Sequence, residues 1–321
     1  MRLLTDSDRT RARYAELVAQ SPEATVYQTL RWLEVWEHLG AELVFVEAGD
    51  DTMLPFVCHG QGSLRRAYSL PFDTYGGPVT ARPNGAVLFE NAIAPLGRAS
   101  ARVVDFSARM TSANGAARIA ASHIVDVSRG YEAAAARYSD ANQRLIRQAS
   151  ERGLAIEVVT DPSHVGAFHR LHERTVARHG ARALPRDFFS AVYASLVPAG
   201  LATFYLARHG GAVVAANLVL HFRDRASDWM WAYDERFPQL RATNALIDRA
   251  IRDEAARGSR ELNLGASPND RLGSVRFKQS FGAVPFAYTV YVHTEPWVGM
   301  ARSLRAGVNR LGARVRLLTA G

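Results

Sequence analysis

The sequence predicts an α/β protein made of two consecutive blocks, each with a mixed central sheet flanked by helices. The chain has 321 residues, which suits two domains of about 150 residues better than one. Hydrophobic residues make up 48% of it, enough for each block to bury a core. The spacing of apolar residues gives both halves the same order of elements, which is two helices, a strand hairpin, a strand, a helix and a strand.

The first block begins with helices predicted over 8–19 and 25–39. Strands over 41–48 and 52–59 follow, joined by the turn Gly49-Asp50-Asp51. Residues 65–79 are predicted as a strand that enters a Gly/Pro-rich loop. A helix over 83–96 and strands over 102–106 and 122–127 complete the block. A mostly polar helix over 131–152 then connects the two blocks.

The second block repeats this order. The predicted strands are 154–159, 201–208, 212–222, 227–234, 261–264 and 285–293, and the predicted helices are 164–178, 186–196, 243–257 and 274–280. Gly258 ends the third of these helices. A basic amphipathic helix is expected over 300–318. The predicted domains are therefore 1–128 and 154–296, with a connecting helix at 129–153 and a C-terminal helix at 297–321.

Composition narrows the cellular setting. Cys58 is the single cysteine, so no internal disulfide can form. The first residues have no signal-peptide pattern, and no apolar run reaches about 18 residues. These features predict a cytoplasmic protein without an integral membrane segment.

The net charge of +8 and a pI near 10 favour a polyanionic partner such as RNA, a nucleotide or an anionic lipid. The alternative is a genome bias toward arginine, since Lys278 is the only lysine in the chain. That bias accounts for the choice of arginine but not for the excess of basic over acidic residues. A lysine kept in such a chain points to a position where a guanidinium does not fit.

The most specific motif surrounds this lysine. The segment 261–264 is a predicted strand followed by Gly265, and Phe277, Lys278, Phe281 and Gly282 follow on a short helix. This motif is a strand that ends in glycine, followed by a Phe-Lys pair and a Phe-Gly pair. It resembles the motif of the Fem-type branch of the GNAT acyltransferases, which uses aminoacyl-tRNA. It also resembles a related branch that uses acyl-CoA. The segments 138–144 and 175–180 match the same family more weakly, so the resemblance implies two tandem GNAT-like domains.

The resemblance implies roles for individual residues. Lys278 would face the donor's phosphates or its reacting ester, and Arg178 would contact acceptor phosphates. The residues themselves agree, because Ser274 is placed to cap a short helix whose amide groups and lysine then point at an anion. An ordinary surface lysine is the alternative. The other predicted substrate-binding residues are Phe277, Arg276, Tyr75, Trp231 and Phe281.

The donor-phosphate loop is expected where the helix over 243–257 begins. Acyl-CoA-binding GNAT loops carry glycines there, but this chain has Ala242 and Asn244. The loss of glycines favours aminoacyl-tRNA and leaves acyl-CoA open. The predicted donor-phosphate residues are Gln239, Arg241, Thr243 and Asn244.

The reaction also needs a proton acceptor. Asp73 and Tyr233 are the first candidates, with Tyr75 and Asp234 as further ones. The resemblance leads us to expect an aspartate after Gly77-Pro78, which this chain lacks, so Asp73 is the candidate substitute. The alternative for each is a turn or core residue.

Alternation places Trp229, Trp231 and Tyr233 on one strand face, either in the core or stacked on a base. His169 and His172 have no metal-ligand spacing, so neither a metal nor a cofactor is predicted.

These features predict a bacterial aminoacyltransferase that forms an amide bond on an amine. The donor is aminoacyl-tRNA, and the acceptor is a peptidoglycan precursor or a small peptide-like metabolite. An acyl-CoA-dependent N-acyltransferase is the alternative, and a non-catalytic RNA-binding protein is the third possibility. DNA is not an expected partner.

Overall fold

The computed structural model describes residues 1–72, 74–82, 86–178, 180–267 and 272–295. In chain order the helices are α1 (Asp8–Gln20), α2 (Leu30–His38), α3 (Phe89–Ile93), α4 (Tyr131–Ala135), α5 (Asp140–Glu151), α6 (Val165–Ala177), α7 (Arg186–Leu196), α8 (Ala242–Arg257) and α9 (Leu272–Gln279).

The strands are β1 (Arg2–Leu4), β2 (Glu42–Glu47), β3 (Thr52–His59), β4 (Arg66–Ser69), β5 (Val79–Thr80), β6 (Val87–Leu88), β7 (Ser100–Asp105), β8 (Met110–Thr111), β9 (Ala117–Asp126), β10 (Ala155–Val158), β11 (Ala202–His209), β12 (Ala212–Phe222), β13 (Arg225–Tyr233), β14 (Glu261–Ala266) and β15 (Val284–His293). The predicted α/β class, with mixed sheets flanked by helices, is confirmed. The predicted helix over 300–318 lies outside the described residues.

The chain divides into two compact units. Among the described residues, unit 1 contains those of 1–28, 40–119 and 289–295, and unit 2 contains those of 29–39 and 120–288. Helix α2, which the sequence placed in the first block, packs within unit 2. There Trp32 and Trp36 contact Phe188 of α7, and Trp32 also meets Trp229 edge-on at 5.1 Å. Burial of these large rings attaches the segment to unit 2, which local periodicity does not reveal.

The sheet of unit 1 has the strand order β1-β2-β3-β4-β7-β15. The predicted hairpin of β2 and β3 is confirmed, with Glu42 opposite Cys58 and Glu47 opposite Met53. Strand β7 pairs in parallel with β4 and antiparallel with residues 289–293 of β15, so the sheet is mixed. One core cluster on this sheet is built around Phe56, Phe89 and Tyr291. The helix predicted over 83–96 is shorter, because β6 occupies its start and α3 covers only Phe89–Ile93.

The sheet of unit 2 has the order β9-β14-β13-β12-β11-β10. Strand β14 pairs in parallel with β13 and antiparallel with β9, and the remaining neighbours are antiparallel. Helices α6 and α8 both pack against β12 and β13. The predicted helix over 243–257 is confirmed as α8, and Gly258 ends it with a φ of 84°.

The prediction of one continuous connecting helix over 131–152 is wrong, since α4 and α5 are separate helices. The Ser139 side chain accepts a hydrogen bond from the Asn142 N–H at 3.2 Å and so starts a new helix at Asp140. The Ser139 N–H donates to the Ser280 carbonyl at 3.0 Å. These contacts turn the chain toward the end of α9, so the connector is part of the core of unit 2.

Candidate active site of unit 2

An opening between β13 and β14 forms the centre of the candidate site. The two strands pair only from Arg225–Glu261 to Ser227–Asn263, although β13 continues to Tyr233 and β14 to Ala266. The pairing of β12 with β13 shifts register between Leu218 and Val219. A bulge of this kind increases local twist and re-aims side chains, so it accompanies the separation of the strands.

Lys278 lies on α9 and is buried, with 5% of its surface exposed. Its Nζ donates to the Gly265 carbonyl at 2.9 Å and to the Ala266 carbonyl at 2.7 Å. Burial lowers the pKa of Lys278 to about 8, and the negative charge of Asp228 opposes this effect. The surface-lysine alternative is therefore wrong, and a fixed ammonium group lies beside the end of β14.

Ser274 does not begin α9, which starts at Leu272. Its hydroxyl instead lies 2.9 Å from that of Ser267. The predicted capping role of Ser274 is thus wrong, because the helix starts two residues earlier than its sequence signal.

Asn263 and Gly265 shape the end of β14 that receives the lysine. The Asn263 side-chain oxygen accepts hydrogen bonds from the Ser122 hydroxyl and, at 2.8 Å, from the Gly265 N–H. Gly265 has a φ of 77°, a conformation that side chains larger than hydrogen rarely adopt. A Cβ built there would have one close neighbour, Nζ of Lys278 at 4.0 Å. The strand end is therefore shaped to present its carbonyl groups to Lys278.

The sequence analysis missed three buried polar side chains of the same unit, which are Asp228, Asn217 and His123. All three side chains are less than 5% exposed. Oδ1 of Asp228, Nδ1 of His123 and both polar atoms of the Asn217 amide have no hydrogen-bond partner in the described part of the chain. Buried polar atoms normally have partners, so these atoms indicate a place where a polar ligand or water binds.

The electrostatics connect Asp228 and His123 to Lys278. Burial raises the pKa of Asp228 to about 7, while the Asn217 amide and the Lys278 charge act in the opposite direction. Burial also lowers the pKa of His123, the Lys278 charge lowers it further, and the Gly265 backbone opposes both. The sequence signal was available, since Asn217 and Asp228 interrupt apolar strands that are otherwise built for a core.

Aromatic side chains line the same stretch of β13 and α9. Trp231 stacks on Tyr233 with ring centres 6.0 Å apart and lies 6.4 Å from Phe277. Phe277 meets Phe281 edge-on at 5.4 Å, and Phe281 is fully buried. Trp231, Tyr233 and Phe277 are half-buried, so they can present ring surface to a ligand. Phe281 serves the core.

The prediction that Trp229 shares a face with Trp231 and Tyr233 is wrong. Trp229 packs on Trp32 and on Phe188, away from the Trp231–Tyr233 stack. The register shift of β12 against β13 breaks the strict alternation on which the prediction rested. Asp228, opposite Val219, instead shares a face with Trp231, which is opposite Asn217.

Arginines surround the carboxyl end of β13. The guanidinium of Arg178 lies 4.4 Å from the centre of the Tyr233 ring and donates to Glu235 at 2.9 Å. Asp234 accepts hydrogen bonds from Arg236, the shortest at 2.6 Å, and from Arg174 at 3.0 Å. Chiefly through Arg236, these contacts lower the pKa of Asp234 to about 2, so the alternative of Asp234 as proton acceptor is not supported. Arg276 is exposed on α9.

The residues of the predicted donor-phosphate loop have diverse environments. Gln239 is exposed, and its carbonyl accepts a hydrogen bond from Arg152. Arg241 has a φ of 52° and directly precedes α8, whose start has no side-chain cap. Thr243 is half-buried, whereas Asn244 is buried and donates to the Asn142 side chain at 2.8 Å. Asn244 therefore connects α8 to α5, while Arg241 and the first amide groups of α8 remain able to face an anion.

Two of the predicted site residues belong to unit 1. Tyr75 is 6% exposed and packs on Phe106 and Tyr27, with ring centres 4.2 Å and 5.7 Å away. Asp73 lies outside the described residues. Tyr75 thus has a core environment in its own unit.

Within the ranges that the structure describes, no group of three or more His, Cys, Asp or Glu side chains could hold a metal ion. In the same ranges, no helix combines the length and the apolar character needed to cross a membrane.

Comparison with known proteins identifies the class of this fold. Residues 136–279 match the family model described as an acetyltransferase (GNAT) domain. No curated protein matches the chain.

The solved structures that are similar over nearly the whole chain include the following three. FemX has a TM-score of 0.66 at 12% identity, covering 94% of this chain and 99% of its own. The C-terminal domain of a putative lysylphosphatidylglycerol synthetase from Agrobacterium fabrum has a TM-score of 0.58 at 15% identity, covering 92% and 95%. A tandem GNAT protein from the clavulanic acid biosynthesis pathway has a TM-score of 0.51 at 14% identity, covering 91% and 97%.

The family match and the shared fold define the class, which is an acyltransferase of the GNAT fold. FemX and the synthetase domain share this fold over nearly the whole chain.

Proposed function

We propose that this protein is an aminoacyltransferase that transfers an aminoacyl group from aminoacyl-tRNA to an amine. The acceptor would be a peptidoglycan precursor or a small peptide-like metabolite, and the reaction would take place in the bacterial cytoplasm. No cofactor beyond the donor is needed.

The observation that carries the proposal is the geometry of Lys278. Its ammonium group has three N–H donors, and two of them have carbonyl acceptors on Gly265 and Ala266. The third has no acceptor in the described residues. An ammonium fixed in this way, in a largely dehydrated place, can donate to the oxyanion that develops on the donor carbonyl.

The transfer then needs no covalent bond between the donor and the enzyme. The acceptor amine attacks the ester carbonyl carbon, a C–N bond forms, and the carbonyl oxygen becomes an oxyanion beside Lys278. Collapse of this intermediate breaks the bond to the tRNA 3′ oxygen, which leaves with the proton that the amine gives up. Tyr233 and Asp73 are the proposed carriers of that proton.

The surroundings of Lys278 suit an RNA donor. The half-buried rings of Trp231, Tyr233 and Phe277 can stack on the terminal bases. Arg178 lies against Tyr233 and can pair with phosphates of the acceptor at the same place. Arg276, Gln239, Arg241 and Thr243 would complete the donor contacts, and the net charge of +8 agrees with a polyanionic partner.

An acyl-CoA-dependent N-acyltransferase is the second candidate, favoured by the uncapped start of α8 after Arg241. The N-terminus of a helix is a suitable place for a pyrophosphate. The matching family model is an acetyltransferase domain, which also agrees with this candidate.

Filter binding separates the two candidates. Purified protein is incubated with bulk aminoacylated tRNA at about 150 mM salt, where non-specific phosphate contacts are weakened, with excess CoA or acetyl-CoA as competitor. We expect tight binding that CoA does not displace, and weaker binding for Lys278→Ala. Gln279→Ala, an exposed neighbour on the same helix, is the matched control and should bind as wild type. Weak binding that CoA abolishes would establish the second candidate instead.

A further inference from the structure

We infer that Asp228, Asn217 and His123 form a subsite for the α-ammonium group of the donor's aminoacyl moiety. The inference rests on the proposed function, because only an aminoacyl donor brings a primary ammonium next to its reacting carbonyl. The subsite would thus determine the substrate class, since a simple acyl group has nothing to place there.

The first support is the position of Asp228. It is the first residue of β13 beyond the last residue paired with β14, at the point where the two strands separate. Its side chain shares a face with Trp231, which packs toward Phe277 on α9. Asp228 therefore lies at the inner end of the opening whose other side carries Lys278.

The second support is the set of unpartnered atoms. Asp228 and His123 are 4% exposed and Asn217 is fully buried, yet Oδ1 of Asp228, Nδ1 of His123 and the Asn217 amide atoms have no partner among the described residues. The carboxylate oxygen, the amide oxygen and a neutral imidazole nitrogen are acceptors, while the amide N–H₂ of Asn217 is a donor that acts on the Asp228 carboxyl. An ammonium group has three donors and no acceptor, so it matches these acceptors.

Lys278 does not already fill this role. Its Nζ is bound to two backbone carbonyls, and no ion pair of 4.0 Å or less joins it to Asp228 within the described residues. The electrostatic influence between Lys278 and Asp228 nevertheless shows that they are near each other. In an aminoacyl ester the α-nitrogen is two bonds from the carbonyl carbon. A carbonyl at Lys278 would therefore bring its ammonium toward Asp228.

The charged group that acts on Asp228 is Lys278 from α9, and the same ammonium acts on His123 of β9. Burial favours the protonated form of a lone carboxyl, and an arriving ammonium favours the carboxylate. The subsite would therefore hold the donor through a charge-assisted hydrogen bond that a neutral acyl group cannot make.

The test compares two forms of the same RNA. Bulk aminoacyl-tRNA is treated with nitrous acid, which converts the α-ammonium into a hydroxyl of nearly equal size. Equilibrium binding of both forms and of uncharged tRNA is measured for the wild type, for Asp228→Asn and for Asp224→Asn. Asp224 is an exposed residue of the β12–β13 turn and serves as the control.

The wild type and Asp224→Asn should bind the aminoacyl form about tenfold or more tightly than the hydroxyacyl form, the factor expected of a hydrogen bond to a charged group. Asp228→Asn should lose this preference and still bind uncharged tRNA normally.

Equal binding of both forms by the wild type would overturn the inference without any variant, and would be expected if Asp228 served the acceptor's amine instead. A preference that survives in Asp228→Asn would overturn it as well. Failure of the wild type to bind any tRNA would reject the proposed function itself, and the subsite with it.

Discussion

The acidity of Lys278 can be measured directly, because it is the only lysine of the chain. Protein grown with lysine carrying ¹³C at Cε and ¹⁵N at Nζ gives one lysine side-chain signal in an NMR spectrum. We expect its pKa to be about 8, lowered by burial from the ordinary value of 10.5. A signal that titrates with a pKa near 10.5 would refute the burial argument and weaken the case for a dehydrated site.

The size of this difference has a consequence for stability. A change from 10.5 to about 8 corresponds to about 3 kcal/mol between the charged and neutral forms. Below pH 8 the lysine is charged in both the folded and unfolded states, so folding must bury the charge. Between pH 8 and 10.5 the unfolded state holds more protons, and the free energy of unfolding should gain up to this amount from Lys278. Urea denaturation should show that gain in wild type and lack it in Lys278→Met.

Asp228→Asn tests how the neighbouring carboxylate affects the pKa of Lys278. Because the Asp228 carboxylate favours the ammonium form of Lys278, its removal should lower the lysine pKa further. Asp224→Asn, at the exposed β12–β13 turn, should leave the signal unchanged. An unchanged or raised lysine pKa in Asp228→Asn would contradict the proximity of the two groups.

Three further predictions concern catalysis and the fold. Lys278→Met should reduce the transfer rate about 10²- to 10³-fold, which is the usual loss when one oxyanion donor is removed. Lys278→Arg should be as slow, because a guanidinium does not replace a compact ammonium. Single-turnover assays measure both rates. Glu254→Gln should lower the free energy of unfolding by about 3 kcal/mol in urea titrations, because Glu254 is fully buried 2.8 Å from His221. Burial raises the pKa of Glu254, but His221 and the Ser259 hydroxyl outweigh it and hold that pKa below its usual value. The stabilisation is therefore present above the unfolded pKa and is lost as pH falls through the folded one; a flat acid profile would contradict this. Gly282→Ala should destabilise more than Gly258→Ala, although both positions have positive φ. Only at Gly282 would a Cβ meet another residue, namely the Cβ of Arg137 at 2.6 Å and its carbonyl oxygen at 3.1 Å; equal melting temperatures would refute this.

Much of the fold could be predicted from the sequence because its signals are local. Short apolar runs joined by a Gly-Asp-Asp turn predicted β2 and β3, helical spacing predicted α6 and α8, and Gly258 marked a helix end. The Phe277–Lys278 motif located the candidate site, because the lone lysine and the strand ending in glycine lie close together in the sequence. None of these features needs information from distant residues.

Only the tertiary structure decided what depends on pairing across the sheet. The register shift in β12 separated Trp229 from Trp231 and turned Asp228 toward the lysine, and alternation along one strand cannot reveal a bulge. Burial of Trp32 on Trp229 assigned α2 to unit 2. The acidity of Lys278 likewise depends on how much of the chain covers it, because the cost of burying a charge is set by the surroundings and not by neighbours in sequence.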